Sequence, residues 1–504
     1  MKSTRYYLRT IYMLSIIMVV MCGCKKLVEI DKPTNTISTA SAFGTDSKLN
    51  SVMAGLYNQM INTGLAFSNG ATTLYGGLTA DEFVDYGGPT NTLTYPLLTS
   101  NINANADFAA DVIWSSAYKT IYNSNAIIEN LTSSVSDKIT DSLRASCTGE
   151  AKFTRAFSYF YLTNFYGDVP LVLTTDFNKT ATLPRAPQAQ VYDQMVQDLK
   201  DAQSLLPDNF SAGLGERIRP NKGAATALLA RVYLYQKDWK NAEAQASAVI
   251  GNSHYTLLAD LNKVFLINST EAIWQLKQDV SLTPVGSGTY DDINFNTRIE
   301  WESLGPDDQA VFLDPSVYSS VSFFLTPQNY LTDELSNAFE PGDLRHTAWV
   351  RSTPSPNIDP YFGVTYNYPF KYINRTATNN QPALQYNVML RLAEQYLIRA
   401  EARAELGDVG GSVADINRIR NRAGLPNTNA SGQTDLLAAV ARERRVELFA
   451  EWAHRLFDLK RTGKASEVLG AIAIKQPWKP GQLLYPVPVS EIIRDPRLVQ
   501  NPGY

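Results

Sequence analysis

The sequence has few histidines, which are common zinc ligands and catalytic bases. Its 504 residues include only three, His254, His346 and His454, which are far apart and do not form an HExxH pattern. It also lacks a GxSxG nucleophile motif and a glycine-rich phosphate-binding loop. The adjacent acids Asp291 and Asp292 suit calcium, but we expect them to be solvated in a loop. The sequence therefore predicts no metal site and no catalytic motif.

Long apolar runs are also missing, apart from one near the N-terminus. Residues 11–21 form an apolar run that is too short to cross a bilayer comfortably, which takes ~20 residues. Basic residues precede this run and small residues follow it, as in a cleaved signal peptide over residues 1–23. Gly23-Cys24 resembles a bacterial lipobox, in which the cysteine receives a diacylglycerol thioether and becomes the new N-terminus. The alternative is an ordinary signal peptide with an incidental cysteine.

Cleavage after residue 23 would leave an acidic chain with no possible internal disulfide. Three basic residues and no acidic residue would be removed, so the formal net charge falls from -4 to -7. A chain of this charge lacks the basic stripe that displaces phosphate counterions, which argues against nucleic-acid binding. Cys22 leaves with the signal peptide and Cys24 would be acylated, so Cys147 has no partner. The fold must therefore be stabilised by packing.

A helical period extends over much of the chain. Apolar residues recur every three or four positions in residues 47–62, 107–127, 144–166 and 192–206. Residues 224–250 and 390–422 form helix–turn–helix patterns in which small residues alternate with large ones, as in tetratricopeptide repeats. We therefore predict a mostly α fold with four helical hairpins of this type.

Two stretches break the helical period. Residues 257–389 are rich in proline, glycine, serine, asparagine and aromatic residues, and only 271–276 alternates like a short strand. Residues 71–105 are rich in glycine, threonine and asparagine and are predicted as loops. A long irregular insertion in a helical protein usually carries function, so 257–389 is the candidate ligand region. The other predicted regions are a lipidated tether over 24–45 and helical regions over 46–256 and 390–504.

Three motif-bearing stretches together resemble one protein family. They are residues 150–171, which include Gly167-Asp168-Val169-Pro170, residues 445–461, and residues 485–504, which end in Asn501-Pro502-Gly503-Tyr504. Their content and order are similar to those of the SusD/RagB family of outer-membrane nutrient-binding lipoproteins. The similarity extends from the lipobox to the final residue.

The resemblance implies a function as well as a SusD-like fold. Members of the family are anchored in the outer membrane of Gram-negative bacteria, where they capture an oligosaccharide or, in some branches, a peptide. They deliver it to a SusC-like TonB-dependent transporter, and they need no cofactor and perform no chemistry. Lys25 and Lys26 precede the acids Glu29 and Asp31, whereas exported members often have acids directly after the cysteine. The anchored protein is therefore expected on either the outer or the periplasmic face of the outer membrane.

Aromatic residues in the irregular segments are the best candidates for a sugar site. Sugar rings present C–H faces that pack on aromatic side chains, which lose little entropy on binding. Trp301 ranks first because it lies in a polar stretch without a helical stripe, and Tyr86, Tyr290, Phe295 and Tyr95 follow. For each of them, ordinary core or loop packing is the alternative.

An enzyme is the main alternative to a binding protein. Glu447 and Glu451 are one helical turn apart, and a retaining glycosidase needs two carboxyl groups ~5 Å apart. Arg444, Arg445 and Arg455 share this segment, and Glu451 and Arg455 have the favoured i,i+4 order for an ion pair. We therefore predict a structural network of ion pairs. A helical scaffold that binds only proteins is a further alternative, but it leaves the aromatic insertion unexplained.

Overall fold

The computed structural model describes residues 39–105, 108–133, 136–279, 289–373 and 382–504. The predicted signal peptide, the predicted lipidation site Cys24 and most of the predicted tether therefore lie outside the described residues.

The described residues are mostly α-helical, which confirms the predicted fold class. The helices before the insertion are α1 (Thr39–Ala42), α2 (Asp46–Asn62), α3 (Thr72–Thr79), α4 (Tyr95–Leu98), α5 (Phe108–Ser133), α6 (Asp141–Tyr166), α7 (Phe177–Thr180), α8 (Gln188–Leu205), α9 (Lys222–Tyr235) and α10 (Trp239–Ile250). Those of the insertion are α11 (Tyr290–Phe295), α12 (Pro306–Phe312), α13 (Pro315–Leu325), α14 (Asp333–Ser336) and α15 (Leu344–Trp349). Those after it are α16 (Leu392–Leu406), α17 (Val409–Arg422), α18 (Gln433–Glu447), α19 (His454–Arg461), α20 (Ala465–Leu469) and α21 (Val489–Arg494).

The long helices pack side by side in one array. Helix α5 packs on α6, α6 on α8, α8 on α9, α9 on α10, α10 on α16, and α16 on α17 and α18. The predicted hairpins at 224–250 and 390–422 are confirmed as α9–α10 and α16–α17. Ala227 and Ala230 are fully buried in α9, so small side chains let the neighbouring helices approach closely. Asn221 caps α9 by accepting a hydrogen bond from Ala224 N at 2.9 Å.

The strands are short and pair antiparallel in two-stranded sheets. Their bounds are β1 (Phe83–Asp85), β2 (Val169–Pro170), β3 (Arg185–Ala186), β4 (Ala272–Leu276), β5 (Asn329–Leu331), β6 (Val350–Pro354), β7 (Thr365–Pro369) and β8 (Asn387–Arg391). The pairs are β1–β5, β2–β3, β4–β8 and β6–β7. Strand β4 confirms the strand predicted at 271–276. The insertion is thus a series of short helices and hairpins that joins the N-terminal segment through β1–β5.

The prediction of loops over residues 71–105 is wrong where β1 and α4 form, and most clearly in its first part. Residues 72–79 form helix α3, which is completely buried. A Cβ atom on Gly76 would lie 2.2 Å from the Ala453 Cβ, and one on Gly77 would lie 2.2 Å from the Phe83 ring. The glycines therefore permit close packing inside the core and do not mark a loop.

The C-terminal tail is fastened to the end of α6. Gly167 has φ 73° and ends this helix, as its sequence predicts, with its N–H donating to Thr163 O at 2.9 Å. The Asn501 side chain donates to Tyr166 O at 2.9 Å and to Tyr485 O at 2.7 Å. The first and third family-like stretches are therefore in direct contact.

Candidate ligand-binding site

Tyr86 directly follows β1, and the β1–β5 ladder fixes its position. Its N–H extends the ladder by donating to Gln328 O at 2.9 Å. The loop that follows is held by Asp85, which accepts hydrogen bonds from Gly87 N at 2.8 Å and from the Thr94 hydroxyl. The Tyr86 side chain stays 40% exposed. A short, well-paired strand thus presents this ring at the surface.

Tyr86 is one of five neighbouring tyrosines, which we call the tyrosine cluster. Its members are Tyr86, Tyr318 of α13, Tyr330 of β5, Tyr361 of the β6–β7 loop and Tyr366 of β7. Ring centroids are 5.6 Å apart for Tyr86 and Tyr366, 5.0 Å for Tyr330 and Tyr366, and 4.6 Å for Tyr318 and Tyr361. All three pairs are edge-to-face, which is a favoured geometry for aromatic rings. The cluster therefore holds Tyr86 against a packed aromatic base.

Four hydroxyl groups of this cluster, those of Tyr86, Tyr318, Tyr330 and Tyr366, stay protonated at neutral pH. Burial raises the pKa of Tyr86, Tyr318 and Tyr330, and it raises the pKa of Tyr366 to about 12. The buried Tyr318 hydroxyl has no hydrogen-bond partner among the described residues. An unpaired buried polar group costs about 1–3 kcal/mol, so a bound hydroxyl or water at this position would be stabilising.

A small surface pocket of about 150 Å³ lies beside Tyr86. Its walls include Tyr86, Asn296, Arg298, Phe323, Thr326 and Gln328. The guanidinium carbon of Arg298 is 4.0 Å from the Phe323 ring centroid, and Phe323 is 58% exposed. No described carboxylate pairs with Arg298. The pocket therefore combines exposed rings with an unneutralised hydrogen-bond donor.

Trp301, the first-ranked candidate, does not line this pocket. It begins a single 3₁₀ turn over Trp301–Ser303 and is half-buried. Its carbonyl accepts a hydrogen bond from the Gln309 side chain at 3.1 Å, and the turn packs against β6. Because β6 pairs with β7, Trp301 borders the hairpin that carries Tyr366. Its role as a ligand contact stays a prediction.

The remaining predicted aromatics are not gathered with Tyr86. Phe295 is 2% exposed and its ring centroid is 4.5 Å from that of Phe83, so burial leaves it no face for a ligand and removes it from the candidate set. Tyr290 packs over Gly64, where a Cβ atom would lie 2.1 Å from the tyrosine oxygen. Tyr95 starts α4 and packs half-buried against the main core. Of the five candidates, only Tyr86 lines the pocket.

Sequence reasoning missed Arg298 and Phe323 as pocket residues and missed how the tyrosines come together. Arg298 and Phe323 are 25 positions apart, and they meet because Arg298 N and Ile299 N both donate to Phe324 O, at 3.0 and 2.9 Å. This backbone contact has no sequence motif. The aromatic richness of the insertion was the only signal that pointed to this region.

The carboxylates Glu447 and Glu451 form ion pairs in the core. Glu447 contacts Arg391 at 2.6 Å and Arg345 at 3.2 Å, and it also contacts Arg422. Although burial opposes ionisation, these cations hold the pKa of Glu447 well below its usual range. Glu451 is likewise buried, with a lowered pKa. Neither group is placed as a general acid facing a sugar, and the predicted ion-pair network is confirmed.

One predicted pairing in this network is wrong. Glu451 does not pair with Arg455; it contacts Lys371 at 2.6 Å and Arg391 at 2.7 Å. Arg455 instead contacts Asp81 at 2.7 Å.

Asp291 and Asp292 are buried in the first turn of α11 and are not solvated in a loop. Asp292 forms a capping box with Thr289, and burial raises the pKa of Asp291 to about 8. The role of Asp292 is therefore to cap helix α11.

Comparison with known proteins decides the family. Residues 30–234 match the SusD-like family described as "Starch-binding associating with outer membrane", and residues 307–504 match the SusD/RagB family, described as "SusD family". The chain belongs to the SusD/RagB family. The family description associates its members with the outer membrane. No helix in the described part of the chain combines the length and apolarity of a membrane-spanning segment.

Relatives of the SusD/RagB family match along most of the chain. A SusD-like protein of Formosa agariphila is 25% identical over 536 residues, which cover 96% of this chain and 97% of that protein. The starch-binding protein SusD of Bacteroides thetaiotaomicron is 24% identical over 430 residues, which cover 73% of this chain and 74% of that protein.

Solved SusD structures share the fold. A laminarin-binding SusD-like protein has a TM-score of 0.71 and 26% identity, covering 92% of this chain and 100% of that chain. A SusD superfamily protein from Bacteroides vulgatus has a TM-score of 0.72 and 20% identity, and the match covers 92% of this chain and 100% of that chain. Two of these relatives, the laminarin-binding SusD-like protein and the starch-binding protein SusD, are binding proteins by name.

Proposed function

We propose that this SusD/RagB protein is an outer-membrane lipoprotein that binds an oligosaccharide and delivers it to a SusC-like TonB-dependent transporter. The observation that carries the binding proposal is the pocket beside Tyr86, where exposed rings and Arg298 converge. Relatives named as starch-binding and laminarin-binding support a glycan as the ligand class.

The chemistry of the pocket suits a sugar ring. The exposed part of Tyr86 and the ring of Phe323 offer apolar faces for C–H groups. Arg298, Asn296 and the protonated Tyr86 hydroxyl supply donors and acceptors for sugar hydroxyls. With about 150 Å³, the pocket is smaller than the ~300 Å³ of compact ligand sites, so it would hold one ring of a longer chain.

The binding proposal is tested by titrating the purified protein with a panel of oligosaccharides by calorimetry. We expect Tyr86→Ala to weaken the best ligand about tenfold, or ~1.4 kcal/mol, because a central aromatic contact is lost. The matched control is Tyr122→Ala, since Tyr122 is 55% exposed on α5 and lines no part of the pocket. Equal affinity of both variants would contradict the site, and an absence of any oligosaccharide binding would contradict the ligand class.

Anchoring and delivery form the second part of the proposal. The lipobox-like Gly23-Cys24 supports acylation at Cys24, and the family description supports the outer membrane as the destination. Metabolic labelling with an alkyne analogue of palmitate should mark the protein and fail to mark Cys24→Ser. Co-purification of a TonB-dependent transporter with the membrane-extracted protein would support delivery, and its absence after cross-linking would contradict it.

A further inference from the structure

A second and much larger cleft lies within the helical array. Its volume is about 850 Å³, which falls within the ~300–1,000 Å³ of small-molecule sites. It is bordered by the α9–α10 turn, the end of α16, one face of α18, and α19 with α20. None of the residues that line it also lines the pocket beside Tyr86.

Apolar side chains and guanidinium groups both line this cleft, and we call the first set its wall and the second set its floor. The wall includes Trp239, Leu437, Leu448 and Leu459. The guanidinium groups are those of Arg444, Arg445, Arg455 and Arg461. A site with an apolar wall and a cationic floor favours a ligand that is both apolar and anionic.

Arg444 has hydrogen-bonding capacity that the described residues do not use. It is 3% exposed, and its Nε donates to Asp458 at 2.6 Å. Its Nη1 and Nη2 atoms are buried and have no hydrogen-bond partner in the described ranges. Burying unsatisfied charged donors is costly, and natural proteins rarely do so without a bound water, ion or ligand. Two such nitrogens on one planar group match the two oxygens of a carboxylate.

The charges of the floor are also unbalanced. Asp458 forms ion pairs with both Arg444 and Arg461, at 2.6 and 2.8 Å. Asp81 forms ion pairs with both Arg445 and Arg455, at 2.9 and 2.7 Å. Glu401 pairs with Arg461. Four guanidinium groups thus face three carboxylates, and one further negative charge would balance the floor.

The other charged groups that line the cleft do not restore this balance. Glu82 is buried beside Asp81, and burial raises the pKa of Glu82 to about 8, so it is mostly neutral at pH 7. Lys464 pairs with Glu467 at 2.8 Å, Lys237 is an exposed cation, and Glu405 is a half-buried acid. The cleft therefore remains positive in a protein whose net charge is negative.

We propose that this cleft is a second binding site, which takes an organic acid with its carboxylate on Arg444 and its apolar body against Trp239 and Leu437. The site is distinct from the sugar pocket, so the proposal does not depend on oligosaccharide binding.

The test uses 4-bromobenzoate, which joins a carboxylate to an apolar ring, and its neutral analogue 4-bromobenzamide. Calorimetry on the purified full-length protein at pH 7 should show binding of the acid and at least tenfold weaker binding of the amide. Crystals soaked in the acid should show a bromine anomalous peak in the cleft. A saturating soak without this peak, or equal affinity for acid and amide, would overturn the proposal.

A variant that fills the cleft without changing its charges gives an independent test. Ala438 is exposed on α18 and lines the cleft, so Ala438→Trp should reduce the affinity for 4-bromobenzoate at least tenfold. Ala248→Trp is the matched control, because Ala248 is an exposed helical alanine of α10 that does not line the cleft. Circular dichroism confirms that both variants are folded. Unchanged affinity in Ala438→Trp would contradict the site, and oligosaccharide affinity should stay constant in both variants.

Discussion

The buried carboxylate of Glu447 offers a sharp test of how this fold is stabilised. It is completely buried and contacts Arg345, Arg391 and Arg422. Each of these cations retains another carboxylate: Asp343 at 2.8 Å, Glu451 at 2.7 Å and Glu271 at 2.8 Å respectively. Removal of one partner of a buried ion pair typically costs 3–5 kcal/mol. Because the remaining acids offset part of the loss, we expect Glu447→Gln to lower the free energy of unfolding by about 3 kcal/mol.

Urea denaturation at pH 7, followed by tryptophan fluorescence, measures this loss. Glu467→Gln is the control, because Glu467 pairs with Lys464 and the two side chains are 70% and 60% exposed. An exposed pair of this kind contributes about 0–1 kcal/mol. If Glu447→Gln cost no more than the control, the ion-pair network would not stabilise the core as we argue. Loss of an enzymatic turnover in a variant of unchanged stability would instead support a glycosidase.

The same residue makes a prediction about pH. The pKa of Glu447 is lower in the folded protein than in the unfolded chain, so its contribution is present above the unfolded pKa of about 4.3. That contribution is lost as the pH falls towards the folded pKa. The difference in unfolding free energy between wild type and Glu447→Gln should therefore be constant from pH 6 to pH 7 and should shrink below pH 4. A difference that grew in acid would refute this assignment.

Three further predictions concern single residues. Burial raises the pKa of Glu82 to about 8, so ionisation of this carboxyl group destabilises the fold as the pH rises. In urea denaturation, Glu82→Gln should therefore be more stable than wild type by over ~1 kcal/mol at pH 9, and the two proteins should be similarly stable at pH 4. Gly76→Ala should cost about 1–3 kcal/mol in the same assay because its Cβ would lie 2.2 Å from that of Ala453, whereas Gly55→Ala, with nothing within 4 Å in α2, should stabilise by up to ~1 kcal/mol. Cys24→Ser should move the protein from the membrane fraction to the soluble fraction on ultracentrifugation, and retention in the membrane would contradict acylation as the anchor.

The sequence allowed a good prediction of the helical part of the fold. Apolar periodicity found α9–α10 and α16–α17 because each of these helices buries one stripe against a neighbour. The Gly167 cap was predictable because a helix end with positive φ favours glycine. Helix α3 was not predicted, because it is buried on all sides and therefore has no polar face and no amphipathic period.

The candidate site was less predictable because it depends on contacts between distant segments. Tyr86 was found as an aromatic residue in a polar stretch, but its neighbour Tyr366 is 280 positions away and meets it only through β1–β5 and the β6–β7 hairpin. Phe295 is also an aromatic residue in an irregular stretch, like Tyr86. Only its packing on Phe83 places it in the core, whereas Tyr86 lies at the surface. Likewise, the i,i+4 order of Glu451 and Arg455 was outweighed by Asp81, which is distant in sequence.

The most direct test of the proposed function is a crystal structure with the oligosaccharide that binds most tightly in the titration panel. We predict a sugar ring packed on Tyr86 in the small pocket, with its hydroxyls within hydrogen-bond distance of Arg298 or Asn296. An ordered oligosaccharide bound elsewhere on the protein, with this pocket empty, would contradict the account.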